Sequence, residues 1–120
     1  MATHNELGKT GEAIAAEFLE EKGFEILERN WVHNKKELDL IAMHNNYLVI
    51  IEVKTRTSDG WEHPKEAITN GKIRSIVSAT ESYIYQTNTL NEVRFDVVTL
   101  IANGDDWIIE HIEEAFHPGL

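Results

Sequence analysis

The sequence predicts an α/β fold: a mixed central sheet of about five strands flanked by helices, in the order α-β-β-β-α-β-β. Three observations carry this expectation. Two stretches repeat apolar residues at helical spacing. Two central stretches are apolar on both strand faces, as strands covered on both sides are. Short clusters of turn-forming residues separate the elements. A length of 120 residues suits one domain, so a single domain over 1–120 is expected.

The first helix is expected over 7–22. Ile14, Ala15, Ala16, Phe18 and Leu19 share one broad side, Glu17, Glu20 and Glu21 face the other way, and Gly23 is a natural stop. Phe24 to Trp31 reads as the first strand, with Phe24, Ile26 and Leu27 inward, followed by a polar loop from Val32 to Lys36. Glu37 to Met43 and Tyr47 to Thr55 read as two strands. Asn45 and Asn46 form a tight turn between them, because Asn tolerates left-handed backbone. Pro64 suits the start of a second helix reaching Gln86, although Gly71 weakens its first turns. Val93 to Ile101 and Trp107 to Ile112 complete the sheet.

Composition removes several classes of function. There is no cysteine, which excludes disulfides and thiolate metal sites. No apolar run approaches the ~18 residues of a membrane span. The first residues have neither a basic start nor an apolar stretch, so no signal peptide is expected and a cytoplasmic location is. The net charge of −10 argues against a protein that grips nucleic acid over its whole surface. The charge is unevenly spread, however: eight of the 11 basic residues but six of the 21 acidic ones lie between Arg29 and Arg74. That middle segment is where phosphate would be tolerated.

The central hairpin carries the chemistry. With Asn45 and Asn46 as a two-residue turn, Asp39 falls opposite Glu52 and Glu37 opposite Lys54, all on one face. The other face carries Leu38, Leu40, Ala42, Val49, Ile51 and Val53. Two carboxylates facing each other among apolar residues repel and resist burial. A hard divalent cation such as Mg²⁺ or Mn²⁺ removes that penalty. Lys54, two residues from Glu52, is placed to orient a water or to stabilise charge developing on a phosphate. Acid, acid, lysine and cation together make a phosphodiester-hydrolysing site. The competing interpretation is a solvated strand edge whose register differs by one residue, which would separate the two acids. Glu12 lies at the edge of the core-facing side of the first helix and could reach a metal cluster, but by position alone a first-turn Glu favoured by the helix dipole is the preferred reading. Lys65, Lys72 and Arg74 line either a phosphate path or a solvated helix face. The six histidines have no zinc-site spacing, and neither a glycine-rich phosphate loop nor a nucleophile elbow is present.

In order along the chain, these segments resemble the YraN-type family of bacterial proteins, identified as having a restriction-endonuclease-like (PD-(D/E)xK) fold and related to archaeal Holliday junction resolvases. The resemblance runs through Gly8-Lys9-Thr10-Gly11-Glu12-Ala13-Ile14-Ala15, Ile26-Leu27-Glu28-Arg29-Asn30-Trp31 and Glu37-Leu38-Asp39-Leu40-Ile41. It continues through Glu52-Val53-Lys54-Thr55-Arg56, Arg94-Phe95-Asp96-Val97-Val98 and Ala115-Phe116. It implies Asp39 and Glu52 as metal ligands, Lys54 as the catalytic lysine and Glu12 as a helix-borne carboxylate of the same site, with Glu37 as an additional candidate. The family pattern has Gly where this chain has Lys36. Lys36, Arg56, Lys65, Lys72 and Arg74 are the expected nucleic-acid contacts. The implied activity is Mg²⁺- or Mn²⁺-dependent cleavage of DNA, including branched DNA, by a homodimer. The alternative is a non-catalytic nucleic-acid-binding or assembly module on the same fold.

Overall fold

The computed structural model describes residues 4–56 and 68–117, with side chains from residue 10 onward. Its elements are α1 (His4–Glu21), β1 (Glu25–His33), β2 (Lys36–His44), β3 (Tyr47–Arg56), α2 (Asn70–Thr87), β4 (Val93–Asn103) and β5 (Asp106–Ile112). The strands form one five-stranded sheet in sequence order, β1-β2-β3-β4-β5. β3 and β4 run parallel and the other neighbours antiparallel, with α2 on the β3–β4 connection. This is the expected mixed α/β sheet with two helices, consistent with the restriction-endonuclease-like arrangement.

Each helix covers one face. On one side Ala15, Ala16 and Leu19 of α1 pack with Leu40, Ala42, Val49, Ile51, Val98 and Leu100. On the other, Ile76, Ala79 and Tyr83 of α2 pack with Ile41, Leu48, Ile50 and Phe95. α1 ends as its sequence suggests. Gly23 takes φ 95, the Gly23 amide donates to the Glu20 carbonyl, and the Phe24 amide donates to the Leu19 carbonyl, which is a Schellman closure. α1 also approaches β3 closely at Gly11, where a Cβ would collide with Thr55 Oγ1 and lie 3.2 Å from Leu100 Cδ1.

Several boundaries differ from the sequence expectation. Val32 to Lys36 is not a loop. β1 continues to His33 and β2 begins at Lys36, joined by Asn34 (φ 50) and Lys35 (φ 66). Two consecutive left-handed residues make the tight turn that matches strand twist, and a Lys in that role gives little sequence signal. Leu27 does not point inward: the β1–β2 register shifts between Ile26 and Glu28, leaving Leu27 38% exposed. α2 starts at Asn70, capped by Thr69, whose hydroxyl accepts the Lys72 amide at 3.1 Å. Ile68 and Thr69 lie outside the helix, and 64–67 lie outside the described residues. Among the described residues no helix is long and apolar enough to cross a membrane.

A buried polar knot ties β4 to β5 and to the chain beyond it. Asp96, fully buried, accepts from Arg94 Nε and Nη2 at 2.9 Å each, from His111 Nε2 at 2.8 Å and from the Glu114 amide at 3.2 Å. Burial alone would raise the Asp96 pKa, but the bonds from His111, Arg94 and Glu114 outweigh it and hold it below the usual carboxylate value. Arg94 also lies over the rings of Phe24 and Tyr47.

Candidate metal centre

The site forms where β2 and β3 part. Their register runs from His44↔Tyr47 to Leu40↔Ile51, as the Asn45–Asn46 turn predicts. It ends there, so Asp39 does not sit in a paired position opposite Glu52. Instead Asp39 Oδ2 accepts the Val53 amide at 2.9 Å, a side chain replacing a ladder acceptor. β2 also turns over at this residue. Leu40 belongs to the α1-side core, whereas Leu38 packs on the α2 side with Ile41, so the expected common face of Leu38 and Leu40 is not formed. Across the sheet, between the pairs Arg29↔Leu40 and Trp31↔Leu38, Asn30 adopts φ 51. This local break in alternation lets Asp39 meet groups from both sides of the sheet.

From the α1 side comes Glu12. α1 begins at His4, so Glu12 lies about two turns inside the helix and is not a first-turn residue. The close approach at Gly11 sets its depth. Carboxylate oxygens of Glu12, Glu37 and Asp39 lie within 4.8 Å of one another. Glu37 is exposed and pairs in register with Val32 on β1, rather than with Lys54. From the α2 side comes Glu52, 9% exposed, which shares a hydrogen bond with Asp39 and ion-pairs with Lys72 Nζ at 3.3 Å. Lys54, two residues on, projects to the same face as Glu52 by strand alternation and is half-buried.

The electrostatics follow from this crowding. Burial, then the charge of Asp39, raises the Glu52 pKa to about 7, with Lys72 opposing both. Burial also raises Asp39, against the bond from Val53 and the charge of Lys72. Glu12 is raised by burial and by Asp39, while a hydrogen bond from Asn30 works the other way. At an effective dielectric of 20, two full charges 4.8 Å apart repel by about 3 kcal/mol. Carboxylate oxygens held this close, on half-buried Glu12 and Asp39 and exposed Glu37, suit a hard divalent cation that takes oxygen ligands. All-oxygen donors fit Mg²⁺ or Mn²⁺ better than zinc.

The remaining candidates differ in burial and bonding. Lys36 is half-buried and its Nζ donates to Ser78 Oγ of α2 at 2.7 Å. Arg56 is half-buried at the end of β3. Arg74 is exposed on α2. Lys65 lies outside the described residues. Two contributors were not assigned these roles from sequence. Asn30 bonds Glu12, its only prior signal being an Asn in a strand-like stretch. Lys72, expected on a phosphate path, reaches back to Glu52.

A sequence profile of the uncharacterised protein family UPF0102 matches residues 11–100, a span containing Glu12, Glu37, Asp39, Glu52, Lys54 and Lys72. The chain belongs to the UPF0102 family. This is the YraN-type family that its segments resemble. It is 48% identical over 118 residues to a UPF0102 protein of Phocaeicola vulgatus, covering 98% of each chain. It is 45% identical over 121 residues to a UPF0102 protein of Flavobacterium johnsoniae, again covering 98% of each.

Proposed function

We propose that this UPF0102 chain is a divalent-cation-dependent endonuclease that hydrolyses DNA phosphodiesters, with branched or otherwise structured DNA as its substrate. One observation carries the reading. Carboxylates from α1, β2 and β3 converge at the point where β2 and β3 part, with Lys72 paired to Glu52 and Lys54 on the same strand face as Glu52. Asp39, Glu52 and Glu12 would hold Mg²⁺ or Mn²⁺, with Glu37 at the exposed rim. Bound there, such a cation supplies Lewis acidity to the phosphoryl oxygens and lowers the pKa of water. Lys54 orients the attacking water or offsets charge developing on the phosphate. Lys36, Lys72, Arg56 and Arg74 would hold backbone phosphates, as would Lys65, which lies outside the described residues. A homodimer would address the two symmetric strands of a junction, by analogy with the resolvases.

The test is Mn²⁺ calorimetry and DNA cleavage with wild type and Asp39→Asn. The Asn side-chain oxygen can still accept the Val53 amide, so the variant should fold. Metal binding and cleavage of branched DNA are both expected in wild type and both lost in D39N. Cleavage retained by a clean D39N preparation refutes the assignment. DNA binding without cleavage in any divalent ion supports the non-catalytic module instead. Cleavage of small phosphodiesters but not DNA indicates a different phosphate ester as substrate.

A further inference from the structure

Lys72 occupies an unusual position for a phosphate contact. Its ammonium lies 3.3 Å from Glu52 Oε1, with the Lys72 side chain 48% exposed and that of Glu52 11% exposed. The cation therefore closes the solvent side of a buried acid. Thr69 caps α2 by accepting the Lys72 amide, which fixes the root of the side chain while its flexible stem remains half in water. Lys72 also acts on both central acids: its charge favours the ionised forms of Asp39 and Glu52.

We propose that Lys72 is an exchangeable counter-ion, paired with Glu52 in the cation-free protein and transferred to a DNA phosphate when a divalent cation takes the carboxylate. This rests on the metal-centre reading above. An ammonium and a divalent cation at one carboxylate repel each other, so Lys72 leaves Glu52 as the cation arrives. Leaving costs little, because water already reaches the half-exposed ammonium and screens the pair. Once released, the ammonium stays at the first turn of α2, where the helix dipole already favours an anion. Cation and DNA then bind cooperatively: each favours the state in which Lys72 has left Glu52, and that coupling is reciprocal.

The experiment compares wild type, Lys72→Met and Lys72→Arg. It measures Mn²⁺ affinity by calorimetry without DNA, then affinity for a branched DNA with non-hydrolysable linkages, with and without Mn²⁺. K72M is expected to bind Mn²⁺ alone more tightly, by about two- to fivefold, the factor matching loss of a competing ammonium that is itself half-exposed. The Mn²⁺-induced gain in DNA affinity, about fivefold or more in wild type, is expected to shrink at least threefold in K72M. K72R, which keeps the charge, is expected to retain most of the gain and shows that α2 survives substitution at this position. Mn²⁺ binding by wild type with unchanged or weaker binding by K72M overturns the exchange and leaves the metal centre intact. No Mn²⁺ binding by wild type, with or without DNA, overturns both.

Discussion

Replacing Glu52 with Gln in the cation-free protein measures what it costs to keep a second carboxylate beside Asp39. Burial and the neighbouring charge raise Glu52 from an ordinary 4.5 to about 7. A raised carboxylate pKa means that the folded state binds its proton more tightly than the unfolded state. The contribution of Glu52 to stability is therefore greatest below pH 4.5, declines as pH rises toward 7, and stays lower above it. At about 1.4 kcal/mol per pH unit, the rise corresponds to about 3 kcal/mol lost at pH 8. Gln cannot ionise and escapes that loss. The opposing pull of Lys72 is already contained in the pKa of about 7, so losing the pair calls for no further deduction. The expectation is that E52Q is about 3 kcal/mol more stable than wild type at pH 8 with chelator, with the gain shrinking toward zero at pH 4. Urea denaturation at pH 4, 6 and 8 reads this directly. Equal or lower stability of E52Q at pH 8, or a gain that persists undiminished at pH 4, refutes the reasoning. Mn²⁺ at about 1,000 times its dissociation constant should reverse the order, because it stabilises the binding-competent protein by about 4.1 kcal/mol.

Three further outcomes follow from the same geometry. Mn²⁺ binding should release protons at pH 6, where Glu52 is still largely protonated, and release markedly fewer at pH 8.5; calorimetry in buffers of different ionisation enthalpy checks this, and equal release at both values contradicts it. Gly11→Ala should destabilise the fold by about 1–3 kcal/mol and weaken Mn²⁺ binding, because the new methyl strikes Thr55 and lifts Glu12 from the centre; an unchanged melting temperature would show that α1 can shift freely. Asp96→Asn should cost about 3 kcal/mol at pH 7, the low end for breaking a buried pair, because Arg94 loses its buried counter-charge and keeps only the half-exposed Glu113 at 4.0 Å. Because the Asp96 pKa is lowered, that deficit should fade as pH drops through the folded-state value, a trend that acid-range denaturation follows.

Much of the architecture was legible in the order of residues. The 3.6-residue periodicity around Ala15, Ala16 and Leu19 marked a helix with one apolar side, and Gly23 marked its end. The Asn45–Asn46 turn set a register that holds from His44↔Tyr47 to Leu40↔Ile51. Acids within that apolar hairpin pointed to a site because burial without compensation is costly. Other features left weak traces. Asn34 and Lys35 turn a strand pair where the sequence shows a polar stretch, and the bulge beside Leu27 reverses a side chain that periodicity would bury.

The sequence by itself determined the element order, the two-sided apolar sheet and the identity of the acids, because those depend on local periodicity and on residue type. Only the tertiary structure decided how the acids meet. Regular alternation would have placed Asp39 opposite Glu52 on one face. Instead the strands part at Asp39, its side chain takes the Val53 amide, and Glu12 and Glu52 approach from opposite sides of the sheet. The partnership of Lys72 with Glu52 likewise joins residues 20 positions apart. Such contacts depend on where a ladder breaks and how closely a helix can approach at Gly11, which is a balance among distant groups that no local pattern records.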